Sequence, residues 1–283
     1  MLTQKEILTS RQNPTVKKIS ALTDKKERRR EGLFRFDGIK LFCEAVECGL
    51  DIKYVVVRED VARNSAISEA LESAVEQGKI APTAVIAVSE GVFEKLSEER
   101  APEGIITVCA VMSKRHRTVD ASECGGYRAD DGERLLIAES LRDPGNLGTV
   151  IRSCAVLGID RLIISDDCAD IYNSKTIRGA MGGLFRLNID TVPQSELPNV
   201  IGALRESGRR VYATALHNDA ETIGRLELTG RDCFVIGNEG HGLSRQVIEA
   251  CDACAIIPMR EGSESLNAAA AASICIWETV RAK

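Results

Sequence analysis

The stretch LLIAESLRDPGNLGTVIRSCAVLGIDRLIIS, residues 135–165, reads as strand, loop, helix and strand. Apolar runs at 135–139 and 161–165 suit strands buried on both faces. Between them Leu147, Val150, Ile151, Cys154 and Leu157 recur at helical spacing and form one stripe. Gly158 closes that helix. Pro144 and Gly145 make a turn, which places Asn146 as the expected N-cap. Arg152 falls about 140° from Leu147 at 100° per residue, so it points away from the stripe.

The alternation continues outward. Strands are expected at 188–192, 210–216, 232–236 and 254–257, and helices at 174–185, 196–207, 244–250 and 267–281. This pattern predicts an α/β fold with a parallel sheet covered on both faces. Ligands of such sheets bind beyond the carboxyl ends of the strands. The loops of interest therefore follow 135–139, 210–216, 232–236 and 254–257. Towards the N-terminus, helices are expected at 14–30, 38–48, 65–77 and 89–96, with strands at 52–57, 83–88 and 104–112. Residues 113–132, SKRHRTVDASECGGYRADDG, are polar and aperiodic and read as a linker. The expected domains are thus 1–112 and 133–283.

The chain has 283 residues, enough for two domains at about 150 each. Hydrophobic residues at 44% and charged residues at 28% exclude wholesale disorder. The longest nearly unbroken apolar stretch, 268–277, is about half of the roughly 20 residues a membrane span needs. The opening MLTQKEILTSRQNP lacks an apolar signal core, so a cytoplasmic location is expected. Ten cysteines are scattered, mostly inside apolar runs where Cys packs as a small hydrophobe. Cys251 and Cys254 form the only CxxC, and with three histidines in all no metal is expected.

Net charge is −5, but it is unevenly spread. Residues 1–40 hold eleven Lys/Arg against five acids, a balance of +6, which leaves −11 on the rest. A basic end on an acidic body suits a polyanion held at one place; a solvated helix face explains the same charges equally well.

Two further loops stand out. In FVIGNEGHGLS, 234–244, the glycines fall as GxxGxG, neither the GxGxxG of a dinucleotide site nor a P-loop. Gly237, Gly240 and Gly242 imply close backbone approach, with Glu239 among them. In IIPMREGSESLN, 256–267, Ser265 or Asn267 can cap the helix that the alanine run 268–272 begins.

NLGTVIR, then IGNEGHGLS, then IPM…SLNAAAAAS, in this order over some 130 residues, together resemble the SpoU (TrmH-type) family of RNA ribose methyltransferases in the SPOUT superfamily. RVYATAL at 210–216 and the opening SRQNP…KKISALTDKKERRREGLFRFDG resemble the family as well. One departure is Asp37, where Glu is usual before Gly38. The resemblance implies transfer of a methyl group from S-adenosylmethionine to a ribose 2′-OH. It implies a sheet with a C-terminal trefoil knot, a preceding L30e-like α/β RNA-binding domain, a homodimer through the C-terminal domain, and no membrane.

By the same resemblance Thr214, Ala215, Leu216, Gly237, Asn238, Gly240, Ile257, Met259, Ser265, Leu266 and Asn267 bind the cofactor. Asn146, Arg152, Glu239, Ser265 and Asn267 match the catalytic set. Arg11, Lys17, Lys18, Lys25, Lys26, Arg28, Arg29, Arg30 and Arg152 are expected to hold RNA. The family proposal makes Arg152 the base. Arginine stays protonated, with a pKa above about 12, so Arg152 is better suited to bind phosphate and steady the developing alkoxide. Glu239 would orient polar partners or accept the proton, and both assignments stay open. Large-subunit ribosomal RNA is the expected substrate, with tRNA second. The competing classes are a catalytically silent RNA-binding or ribosome-assembly protein on this fold, and an unrelated nucleotide-binding enzyme. The intact polar set argues against the former, and the absent phosphate loops against the latter.

Overall fold

A computed structural model describes residues 6–61, 65–215, 219–238, 240–260 and 265–282. The chain divides into two compact units, residues 1–112 with 172–178, and residues 113–171 with 179–283.

In the first unit the order is α1 (Pro14–Ala21), α2 (Lys25–Glu31), β1 (Leu33–Asp37), α3 (Ile39–Glu47), β2 (Ile52–Arg58), α4 (Ser65–Glu76), β3 (Val85–Val88), α5 (Glu90–Leu96) and β4 (Ile105–Ala110). The four strands form a mixed sheet in the order β1-β4-β2-β3. The single helix expected over 14–30 is two, because Asp24 starts a new one. Its carboxylate accepts from the backbone N–H groups of Lys26 and Glu27. Strand β1 was not expected. The polar Arg35 interrupts its apolar pattern, yet the whole strand is buried except for half-buried Asp37. Tyr172 counts with this unit; its ring centroid lies 4.5 Å from that of Phe34, and its hydroxyl accepts from the Met112 N–H.

The second unit contains β5 (His116–Thr118), α6 (Ala121–Cys124), β6 (Leu135–Ala138), α7 (Pro144–Leu157), β7 (Arg161–Ser165), the end of α8 (Ser174–Ala180), β8 (Asn188–Val192), α9 (Leu197–Glu206), β9 (Val211–Thr214), β10 (Glu221–Thr222), β11 (Cys233–Ile236), α10 (Arg245–Ala250), β12 (Ala253–Ile256) and α11 (Ala268–Arg281). Its eight strands run β10-β12-β9-β11-β6-β7-β8-β5, with every neighbouring pair parallel. The central strands β6 and β11 are buried at every residue, as strands covered on both faces require.

The stretch expected to be a linker instead belongs to this unit. Residues 116–118 form its edge strand, and Val119, Cys124 and Tyr127 join its core. The Tyr127 hydroxyl donates to Asp190 at 2.6 Å, so a polar, aperiodic segment is tied down by tertiary contacts. Helix α7 starts two residues before the expected position. Asp143 is its N-cap, accepting from the Asn146 N–H at 2.8 Å, and Pro144 takes the first position, where its missing N–H costs nothing. Asn146 is therefore in the first turn, not the cap. Leu147, Val150, Ile151 and Cys154 are its buried face, and Gly158 ends it at φ 89°. All ten cysteines are free. Burial pushes the Cys233 thiol up to about 12, as expected of packing residues.

Candidate functional site

Strands β12, β9 and β11 are adjacent and parallel, so the segments beyond their carboxyl ends converge. A cavity of about 610 Å³ opens there. Thr214 and Ala215 after β9, Gly237, Asn238 and Gly240 after β11, Ile257 and Met259 after β12, and Ser265 and Leu266 before α11 all line it. Nine residues proposed from sequence thus share one wall. Leu216 and Glu239 lie outside the described residues, and Asn267 stands beside the lining. The reading from sequence missed Leu243, Ile248, Ala268 and Ala271, which also face the cavity. Small or apolar side chains there carry no chemical signature, so only proximity identifies them.

The glycine loop is folded tightly on itself. Asn238 and Gly242 exchange backbone hydrogen bonds at 3.0 and 2.9 Å. A Cβ on Gly237 would fall 2.5 Å from the Gly242 carbonyl carbon and 2.6 Å from the Leu243 nitrogen. No side chain fits, which is the close backbone approach that the glycine spacing implied. Asn238 organises the turn, its Oδ1 accepting from Gly240 and His241.

Beside the cavity, the Asn267 side chain has two tasks. Its Oδ1 caps α11 by accepting from Ala269 and Ala270, and its Nδ2 donates to Asn146 Oδ1 at 3.0 Å. This fixes the orientation of both amides and joins residues 121 positions apart. Arg152, two turns along α7, is exposed and has no polar partner among the described residues. Ser153 and Ser273 meet at 2.9 Å, linking α7 to α11.

In the first unit the basic residues separate into two groups. Arg28 is only 6% exposed, and its guanidinium donates to the carbonyls of Leu22 and Thr23 at 2.8 and 2.7 Å. It therefore cannot meet RNA as expected from sequence: the register of α2 turns it inward, where it satisfies carbonyls at the end of α1. Lys18 pairs with Glu31, Arg30 with Glu27 and Glu31, and Arg11 donates to the Gly91 carbonyl. Lys17, Lys25, Lys26 and Arg29 are exposed, and their side-chain charges have no partner among the described residues.

A sequence model of the SpoU rRNA Methylase family matches residues 133–277, more than half of the chain. The chain belongs to the SpoU rRNA methylase family. A second model, the MRM3-like substrate binding domain, matches residues 13–107. Among relatives, the Bacillus subtilis protein named 23S rRNA (guanosine(2553)-2′-O)-methyltransferase RlmP is 29% identical over 95% of this chain and 97% of its own length. The Coxiella burnetii 23S rRNA (guanosine-2′-O-)-methyltransferase RlmB is 32% identical over 75% of this chain and 82% of its own. The AdoMet-bound rRNA methyltransferase of Sinorhizobium meliloti superposes with a TM-score of 0.79 at 27% identity, covering 98% of this chain and 97% of that one. This SpoU-family chain is a methyltransferase that uses S-adenosylmethionine.

Proposed function

We propose that this enzyme methylates a ribose 2′-OH of large-subunit ribosomal RNA in the cytoplasm, with the cofactor in the 610 Å³ cavity. The observation that carries this reading is the convergence of nine sequence-assigned residues on that one cavity, with the Asn146–Asn267 pair at its edge. The cavity suits the cofactor. Ile257, Met259 and Leu266 offer apolar contact for a flat base, and the glycine loop offers backbone donors and acceptors.

The bound cofactor supplies an electrophilic methyl group. The protein's part is to place a 2′-oxygen against it and to bear the charge that develops. Arg152 is unoccupied by any described partner, and its guanidinium supplies donors for the neighbouring phosphate and the alkoxide. Asn146 and Asn267, locked to each other, hold polar groups at the cavity's edge, with Ser265 on its wall. Glu239 belongs to the same reading as orienting group or proton acceptor. Lys17, Lys25, Lys26 and Arg29, with the paired Arg11, Lys18 and Arg30, form the basic face for RNA.

Three finer points belong with it. A C-terminal trefoil knot in the second unit is what the family resemblance implies. An L30e-like first unit agrees with the substrate-binding match over 13–107. A homodimer through the second unit would cover Val156, Ile274 and Trp277, exposed on α7 and α11. The test is methyl transfer from labelled S-adenosylmethionine to unmodified total RNA, followed by mapping of the product. Label on a ribose of large-subunit RNA is expected. Label only on tRNA overturns the substrate, and none on any RNA overturns the activity.

A further inference from the structure

We propose that Glu139 and Ser140, at the carboxyl end of β6, are positioning residues that hold the glycine loop at both its ends and thereby set cofactor affinity. The inference rests on the cavity being the cofactor's site. Neither residue lines the cavity. At the loop's start, the Ser140 carbonyl accepts from Asn238 Nδ2 at 2.8 Å, which aims the Asn238 Oδ1 at Gly240 and His241. At the loop's end, Glu139 Oε2 accepts from the Ser244 N–H at 2.8 Å, while Oε1 accepts from Gln194 Nε2 at 2.9 Å. The Glu139 carboxyl belongs to a residue only 2% exposed, so its partners are not replaceable by bulk water.

Ser140 has φ 56°, one of two positive-φ residues other than glycine among the described residues. Such a conformation persists only where surroundings impose it. Here Ser165 Oγ accepts from the Ser140 N–H at 2.8 Å, and Asp167 accepts from the Ser140 hydroxyl at 2.7 Å. A loop with three glycines in six residues has little preference for one shape. Two fixed points, 98 and 105 residues away in sequence, supply that preference.

The test compares Glu139→Ala with Glu139→Gln in the full-length enzyme. Calorimetry with S-adenosylhomocysteine gives Kd, and steady-state kinetics give kcat and KM for S-adenosylmethionine. Glu139→Ala is expected to raise Kd and KM about tenfold, equivalent to about 1.4 kcal/mol, with kcat changed less than threefold. Glu139→Gln is expected to stay within threefold of wild type. Its amide oxygen can accept from Ser244, and Gln194 can turn its own amide to accept. Unchanged affinity in Glu139→Ala, equal losses in both variants, or a loss confined to kcat each overturn the proposal. If Glu139→Ala does not fold, Gln194→Ala replaces it, with a threefold or larger rise in Kd expected and no change overturning. Gly237→Val serves as the control for the cavity. Wild-type binding by that variant removes the cofactor from the cavity and both readings fall; lost binding there with normal Glu139→Ala overturns the positioning role alone.

Discussion

Arg152 and Gly237, both proposed for the site, would act in two different ways. Arg152 stands on the outer face of α7, exposed and unpaired among the described residues. Arg152→Ala should cost little stability and leave the Kd for S-adenosylhomocysteine within about twofold. It should reduce methyl transfer by on the order of a hundredfold or more, the scale on which one charge-stabilising donor contributes. Near-normal turnover would remove Arg152 from the chemistry. Gly237 acts through space alone. Even Gly237→Ala sets a methyl 2.5 Å from backbone that has no slack, so the loop must open. Loss of cofactor binding with a largely intact fold is the expected outcome, read by calorimetry and circular dichroism. The importance of Gly237 was legible from its spacing to Gly240 and Gly242. The meeting of Asn146 with Asn267 was not, because nothing local links residues 121 apart.

Among the elements, α2 is where pattern and packing disagree most. Its run of basic residues reads as one polyanion surface, yet Arg28 is buried and serves the end of α1. Lys25→Ala, Lys26→Ala and Arg29→Ala combined should weaken RNA binding and lower its salt dependence by up to about three phosphate contacts, with stability unchanged. Arg28→Ala should instead destabilise the first unit by about 1–3 kcal/mol in denaturant titrations, through lost hydrogen bonds to two carbonyls. An unchanged salt slope in the triple variant would leave the cluster a solvated face. The edge strand β5 gives a pH prediction. Burial lowers the His116 pKa to about 4, against partly offsetting hydrogen bonds to the carbonyls of Leu184 and Leu187. The folded protein thus binds this proton less readily than the unfolded chain, whose value is 6.5. The stability His116 contributes is complete above pH 6.5 and is lost as pH falls towards 4, at most about 2 kcal/mol by pH 5. His116→Asn should flatten the stability profile across that window; an unaltered profile would show that His116 titrates normally.

At the scale of the whole molecule, α7 and α11 lie side by side and leave Val156 73% and Trp277 56% exposed. A second copy of the second unit is the cover proposed for this surface. Trp277→Glu should yield folded monomers with reduced activity, since removing a large exposed apolar residue does not harm the core. Sedimentation of the wild type checks the premise, and a fully active monomer at micromolar concentration would refute the dimer.

The α/β class, the parallel sheet and the loops that converge were legible in the chain, because burial on two faces writes unbroken apolar runs and helices write their stripes locally. So were nine of the residues around the cavity, through their motif rather than through any contact between them. Folding in three dimensions decided the rest. It recruited the polar segment 113–132 into the second unit, turned Arg28 inward, and set Glu139 against the Ser244 N–H. Those outcomes depend on which distant groups arrive within hydrogen-bonding range, a property of the packed chain that no window of sequence contains.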